Sequence, residues 1–134
     1  MFKNAPLPEN CPPNTAHQAQ KELRLFRILH SDVLNTDSFL TYQQLYPENK
    51  RYRNLCVAFA VSMFTSVEYA VAAYRASVER NKVLGTHMAE LILQPSDGVF
   101  EVNPNTGHCS FWFYESCTFA EISCVQIIQI DENT

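Results

Sequence analysis

The sequence predicts an α+β fold: a single domain with a mainly antiparallel sheet, one long amphipathic helix and one short helix. Two observations lead to this. One segment, residues 66–80, repeats apolar residues at helical spacing, whereas most other apolar segments alternate or are rich in β-branched residues. The strand-like segments also bracket the long helix unevenly, with two before it and four after it, an order that does not give regular βαβ units.

The chain of 134 residues fits one domain. Its 46% hydrophobic and 18% charged residues describe a sequence that folds. Residues 1–20 carry Pro6, Pro8, Pro12 and Pro13 and are expected to form an extended arm, leaving residues 21–134 as the α+β domain. The net charge of −4 gives no general attraction to phosphate backbones, so nucleic acid is not an expected partner. No apolar run is long enough to span a bilayer and the opening lacks a signal-peptide core, so the expectation is a cytoplasmic protein without membrane association. Five cysteines, without a CxxC pair, are expected as reduced thiols, with Cys56 and Cys124 serving as small buried hydrophobes.

Leu23 to Leu29 reads as the first strand, with Arg24 and Arg27 on opposite faces. Residues 37–46 read as a short helix that begins behind Thr36 and Asp37 and ends at Pro47. The loop "ENKRYRN" follows, where Lys50, Arg51 and Arg53 surround Tyr52 in the most basic spot of the chain. "LCVAFAVSMF" alternates large and small apolar residues, as a strand buried on both faces does. "TSVE" fits a capping box with Thr65 as N-cap and Glu68 as its partner, opening the long helix. Behind it Val67, Ala70, Val71, Tyr74 and Val78 form an apolar stripe.

"GTHMAELILQP" alternates as a strand that stops at Pro95. "VFEV" and "HCSFWFY", separated by the breaker cluster "NPNTG", predict a hairpin. "ISCVQIIQI", rich in β-branched residues, predicts a last strand.

The penultimate strand has two unlike faces. Cys109, Phe111 and Phe113 form an apolar face expected to pack under the long helix, while His108, Ser110, Trp112 and Tyr114 combine aromatic bodies with polar tips. That second set is the expected ligand- or partner-binding face, suited to an unknown protein or a small planar ligand, or else to packing beneath the Pro-rich arm. His87, His108, Cys109 and Cys117 lack the short paired spacing of zinc sites, so no metal is expected, and no motif implies a cofactor. Glycine-rich phosphate loops and a GxSxG elbow are missing.

The run "LFRIL", followed by "AVSMFTS" leading into an Ala-rich helix and a strand-rich end, resembles over a small part of the chain the layout of small ADP-ribosyltransferases. That class uses an Arg or His on an early strand, a Ser or Tyr on a middle strand and a late Glu, to which Arg27, Ser62 and Glu115 correspond. A paired-glutamate motif is absent. The sequence therefore supports three readings. The first is a small binding or interaction module using the aromatic and polar face. The second is a nucleotide-using transferase or hydrolase with Arg27 on phosphate, Glu115 as acid or base and His108 polarising the substrate. The third is a structural homo-oligomer.

Overall fold

Hydrogen bonding in the computed structural model, which describes residues 1–131, joins six strands into one antiparallel sheet of order β4-β5-β2-β1-β3-β6. The strands are β1 (Leu23–Leu29), β2 (Val61–Phe64), β3 (His87–Leu93), β4 (Gly98–Val102), β5 (His108–Phe113) and β6 (Ser123–Gln129). The helices are α1 (Tyr42–Leu45) and α2 (Val67–Glu79), an α+β arrangement. Residues 132–134, the end of the expected domain, lie outside the described residues.

Two of the sheet's pairings matter most for the site. β1 and β3 pair along their whole length, from Leu23↔Leu93 to Leu29↔His87, whereas β1 meets β2 only at Phe26↔Phe64. The sheet thus parts between β1 and β2 just beyond that pair. The hairpin of β4 and β5 is in register from Gly98↔Phe113 to Val102↔Cys109, and β5 pairs with β2 through Ser62↔Ser110 and Phe64↔His108.

The two faces of the sheet are covered differently. Leu25, Met63, Leu91, Cys109, Phe111 and Phe113 build the larger core, covered by Phe39, Phe119 and Ile122 from the connecting segments. Helix α2 lies on the opposite face, where Ala70 and Val71 pack with Phe26, Phe64 and Met88. The Cys109–Phe113 face is therefore not under the long helix. The expected face assignment for α2 is corrected, because alternation defines two faces but not which one the helix covers.

Three local expectations are also corrected. The short helix is two pieces, a 3-10 turn over Thr36–Phe39 and α1, because Leu40 adopts extended backbone and Thr41 starts a new cap by accepting a hydrogen bond from Gln44 N. The "LCVAFAVSMF" run enters the sheet only at Val61, since Cys56–Phe59 curls into a 3-10 turn. Helix α2 is capped by Ser66, whose hydroxyl accepts from Tyr69 N, while Thr65 N donates to Gly107 O and ties that residue to the β5 hairpin.

The Pro-rich arm runs along the sheet. Lys3 N donates to Phe113 O, and His17 exchanges two backbone bonds with Phe100 on the outer strand β4. A disulfide joins Cys11 of the arm to Cys56 of the 3-10 turn. This overturns the expectation of five reduced thiols for those two residues: the partners are 45 positions apart, so no short spacing marks them. Cys109 and Cys117 are buried free thiols, and Cys124 is an exposed one. No helix among the described residues is long and apolar enough to cross a membrane.

Candidate functional site

Ser62 and His108 meet at the floor of a cleft. On two antiparallel strands in which Ser62 faces Ser110, His108 is the diagonal neighbour of Ser62, within reach of a long side chain. The Ser62 Oγ to His108 Nε2 distance is 2.6 Å. Phe64, directly opposite His108, holds the imidazole edge-to-face with ring centroids 5.5 Å apart. Ser110, 7% exposed, completes the floor.

The connector between β1 and β2 supplies the walls. Thr41 caps α1 and fixes Tyr42 as its first residue, and the basic loop then turns back through a 3-10 turn at Tyr52–Asn54. Tyr42 and Tyr52 lie with ring centroids 5.9 Å apart, and Tyr46 adds a third ring 6.1 Å from Tyr52. Tyr42, Arg51, Tyr52, Leu55, Val57 and Ala58 line the cleft. Its volume is about 210 Å³. None of its lining residues is a carboxylate.

Two groups set the electrostatics around the cleft, His108 and Arg27. His108 has its pKa lowered by burial and, secondarily, by the charge of Arg27, so the imidazole is neutral at physiological pH and can accept the Ser62 hydroxyl proton. Burial lowers the Arg27 pKa to about 10, which leaves it charged at neutral pH. Its guanidinium donates to Ser38 O at 2.9 Å, Ser62 O at 2.7 Å and Leu40 O at 3.4 Å. These bonds bridge β1, β2 and the connector where direct strand pairing stops. The side chain is occupied by three backbone carbonyls rather than presented to a phosphate.

The other expected site residues are dispersed. Trp112 is 2% exposed beneath the arm, in a cluster with Ala58, Phe59 and Ala60 that Phe2, Leu7 and Cys11 cover, and its Nε1 donates to Cys56 O at 3.3 Å. Tyr114 packs against Phe2, its ring tilted by 32° with centroids 5.3 Å apart. Glu115 lies past the far end of β5, where it is exposed and 3.8 Å from the N-terminal amine. It lines a separate groove with Lys3, Gln44 and Phe119. The structure thus brings His108 and Ser110 together with Ser62 near Arg27, and leaves Trp112, Tyr114 and Glu115 elsewhere.

Sequence reasoning gave Tyr42 no site role and read the basic loop with Arg51 and Tyr52 as solvated rather than as an anion contact. Their signal was the basic loop around Tyr52, which stands out in an acidic chain. Comparisons with protein-family models, curated proteins and solved structures return no match.

Proposed function

We propose that the protein is a binding module for a small anionic ligand with a flat heteroaromatic ring, and that a nucleotide is the chemical class that combines these features. The observation that carries this reading is the Ser62–His108 hydrogen bond at the floor of a tyrosine-walled cleft without carboxylates. A ring entering the cleft finds the Tyr42 and Tyr52 faces for stacking and Ser62, His108 and Ser110 for hydrogen bonding. Arg51 at the wall supplies a cation for the phosphate. The volume suits one ring, so the rest of the ligand lies at the rim. Calorimetric titration with adenosine monophosphate and with NAD tests the reading: saturable binding that His108→Ala abolishes supports it, and no heat with either nucleotide removes it.

A second reading, the nucleotide-using transferase, is favoured by one observation: Arg27 and Ser62, the residues matched to ADP-ribosyltransferases, are in contact. That contact is to the Ser62 backbone carbonyl; His108 lines the cleft beside Ser62, Arg27 does not, and Glu115 sits away from it. Cleavage of a glycosidic bond passes through a cationic, oxocarbenium-like state that a carboxylate stabilises. A neutral imidazole beside an arginine does not replace that charge. The proposal is therefore binding without turnover, and release of nicotinamide from NAD above the uncatalysed rate would instead establish the transferase. The Cys11–Cys56 disulfide favours an oxidising compartment over the cytoplasmic placement expected from the sequence.

A further inference from the structure

Building on the nucleotide reading of the cleft, and resting on it, we infer that the bound nucleotide is one unit of a single-stranded nucleic acid, whose next base and backbone lie over the connector at the rim. The cleft, of about 210 Å³, holds one ring and leaves the rest of its ligand outside. The connector at that rim is a folded surface. Asn49 N donates to Tyr46 O at 3.0 Å, Tyr52 N donates to Asn49 O at 3.1 Å, and Asn49 Oδ1 accepts from Arg51 N at 3.0 Å. These turns bracket the basic loop with two tyrosines.

Tyr46, 55% exposed, sits beside the cleft through its approach to Tyr52 without lining it. An open tyrosine face is a platform on which a base stacks. The Tyr52 and Tyr46 ring centroids are 6.1 Å apart, wider than the rise of about 3.4 Å between stacked bases, so bases held at the two rings are unstacked from each other, as only a single strand permits. Charge complements the rings. Lys50, Arg51 and Arg53 are exposed, no ion pair among the described residues takes them up, and Glu48 is the one acid of the loop. The net charge of −4 gives the chain no general attraction for phosphate, so the strand is drawn to this loop and not to the surface at large. Acidic side chains of a peptide would meet the same cations, but they carry no flat ring for Tyr46 or for the Ser62–His108 floor.

The test is calorimetric titration of the oxidised full chain with adenosine monophosphate, with short single-stranded oligoadenylates of increasing length and with a fully paired DNA hairpin, for wild type, Tyr46→Ala and the double variant Lys50→Gln with Arg53→Gln. Affinity is expected to rise about ten-fold or more from the monophosphate to the oligoadenylates, and Tyr46→Ala to remove most of that gain. The double variant is expected to flatten the fall of oligoadenylate affinity with salt while binding the monophosphate as wild type does. Unchanged far-UV circular dichroism establishes that each variant is folded. Monophosphate binding without any gain on lengthening overturns the strand and leaves the nucleotide reading standing, whereas no binding of either probe removes both. A hairpin bound as tightly as the single strands, polyglutamate bound as tightly as the oligoadenylates, or oligoadenylate affinity unchanged in both variants also overturns it.

Discussion

Ser62 Oγ lies 2.6 Å from His108 Nε2, and the Arg27 guanidinium reaches the carbonyl of that same serine at 2.7 Å. One strand residue therefore joins a neutral imidazole on β5 to a buried cation on β1. Its hydroxyl pairs with the imidazole, and its carbonyl accepts from the arginine.

Because the folded-state pKa of His108 is lowered, the unfolded chain takes up that proton first. The contribution of the neutral imidazole is fully present above the ordinary histidine value of about 6.5 and declines as pH falls below it toward the lowered folded value. Urea midpoints are expected to fall between about pH 7.5 and pH 5.5 more steeply for wild type than for His108→Gln, which has no titrating ring. Equal slopes for the two proteins would show that His108 titrates alike in both states.

Arg27→Met removes three hydrogen bonds and leaves the Ser38, Leu40 and Ser62 carbonyls facing an apolar side chain. A loss of about 2–4 kcal/mol is expected in chemical denaturation. Arg27→Lys, with a single ammonium in place of a planar fork, recovers only part of it. If Arg27→Met instead weakens nucleotide binding with stability unchanged, the side chain contacts ligand and is not a strut.

Reduction of Cys11–Cys56 opens a covalent loop spanning 45 residues. The chain-entropy relation assigns a loop of that size about 4 kcal/mol, an upper expectation for the loss on Cys11→Ser. The arm then loosens over Trp112, the only tryptophan, which serves as the reporter. A red-shifted emission and easier acrylamide quenching are expected in Cys11→Ser, with far-UV circular dichroism unchanged. Weaker ligand binding is expected alongside, since Leu55 and Val57 of the cleft wall flank Cys56.

Gly107 precedes His108 with φ of +68°, and a Cβ there would meet the Tyr69 ring on α2 at 2.0 Å. Gly107→Ala combines a left-handed backbone with that overlap and is expected to cost about 1–3 kcal/mol in thermal or urea unfolding. Tyr69→Ala relieves the overlap but not the backbone term, so the double variant is expected to recover part of the loss and no more.

Much of the fold was legible because local pattern and final structure agree. "LRLFRIL" is β1 over the residues its alternation indicates, and the breaker cluster before His108 closes the β4–β5 hairpin. The helix start was displaced by one residue because Thr65 and Ser66 both suit a cap, and the choice depends on the distant Gly107 carbonyl that engages Thr65. Cys56–Phe59 has no turn residue to announce its curl, and its two anchors, Cys11 and Trp112, are remote in sequence. For the site, alternation groups His108 with Ser110 and Trp112 on one strand face. It carries no information on the arm that covers Trp112 or on the connector that brings Tyr42 and Tyr52 over Ser62, because both depend on tertiary contacts.

The most direct measurement of the central claim is calorimetric titration of the oxidised full chain with adenosine monophosphate and NAD, comparing wild type, His108→Ala and Arg51→Ala. Saturable binding of at least one nucleotide to wild type is expected, lost in His108→Ala and weakened in Arg51→Ala, with all three proteins folded. Absence of binding to the folded wild type, or binding that both substitutions leave unchanged, would contradict it.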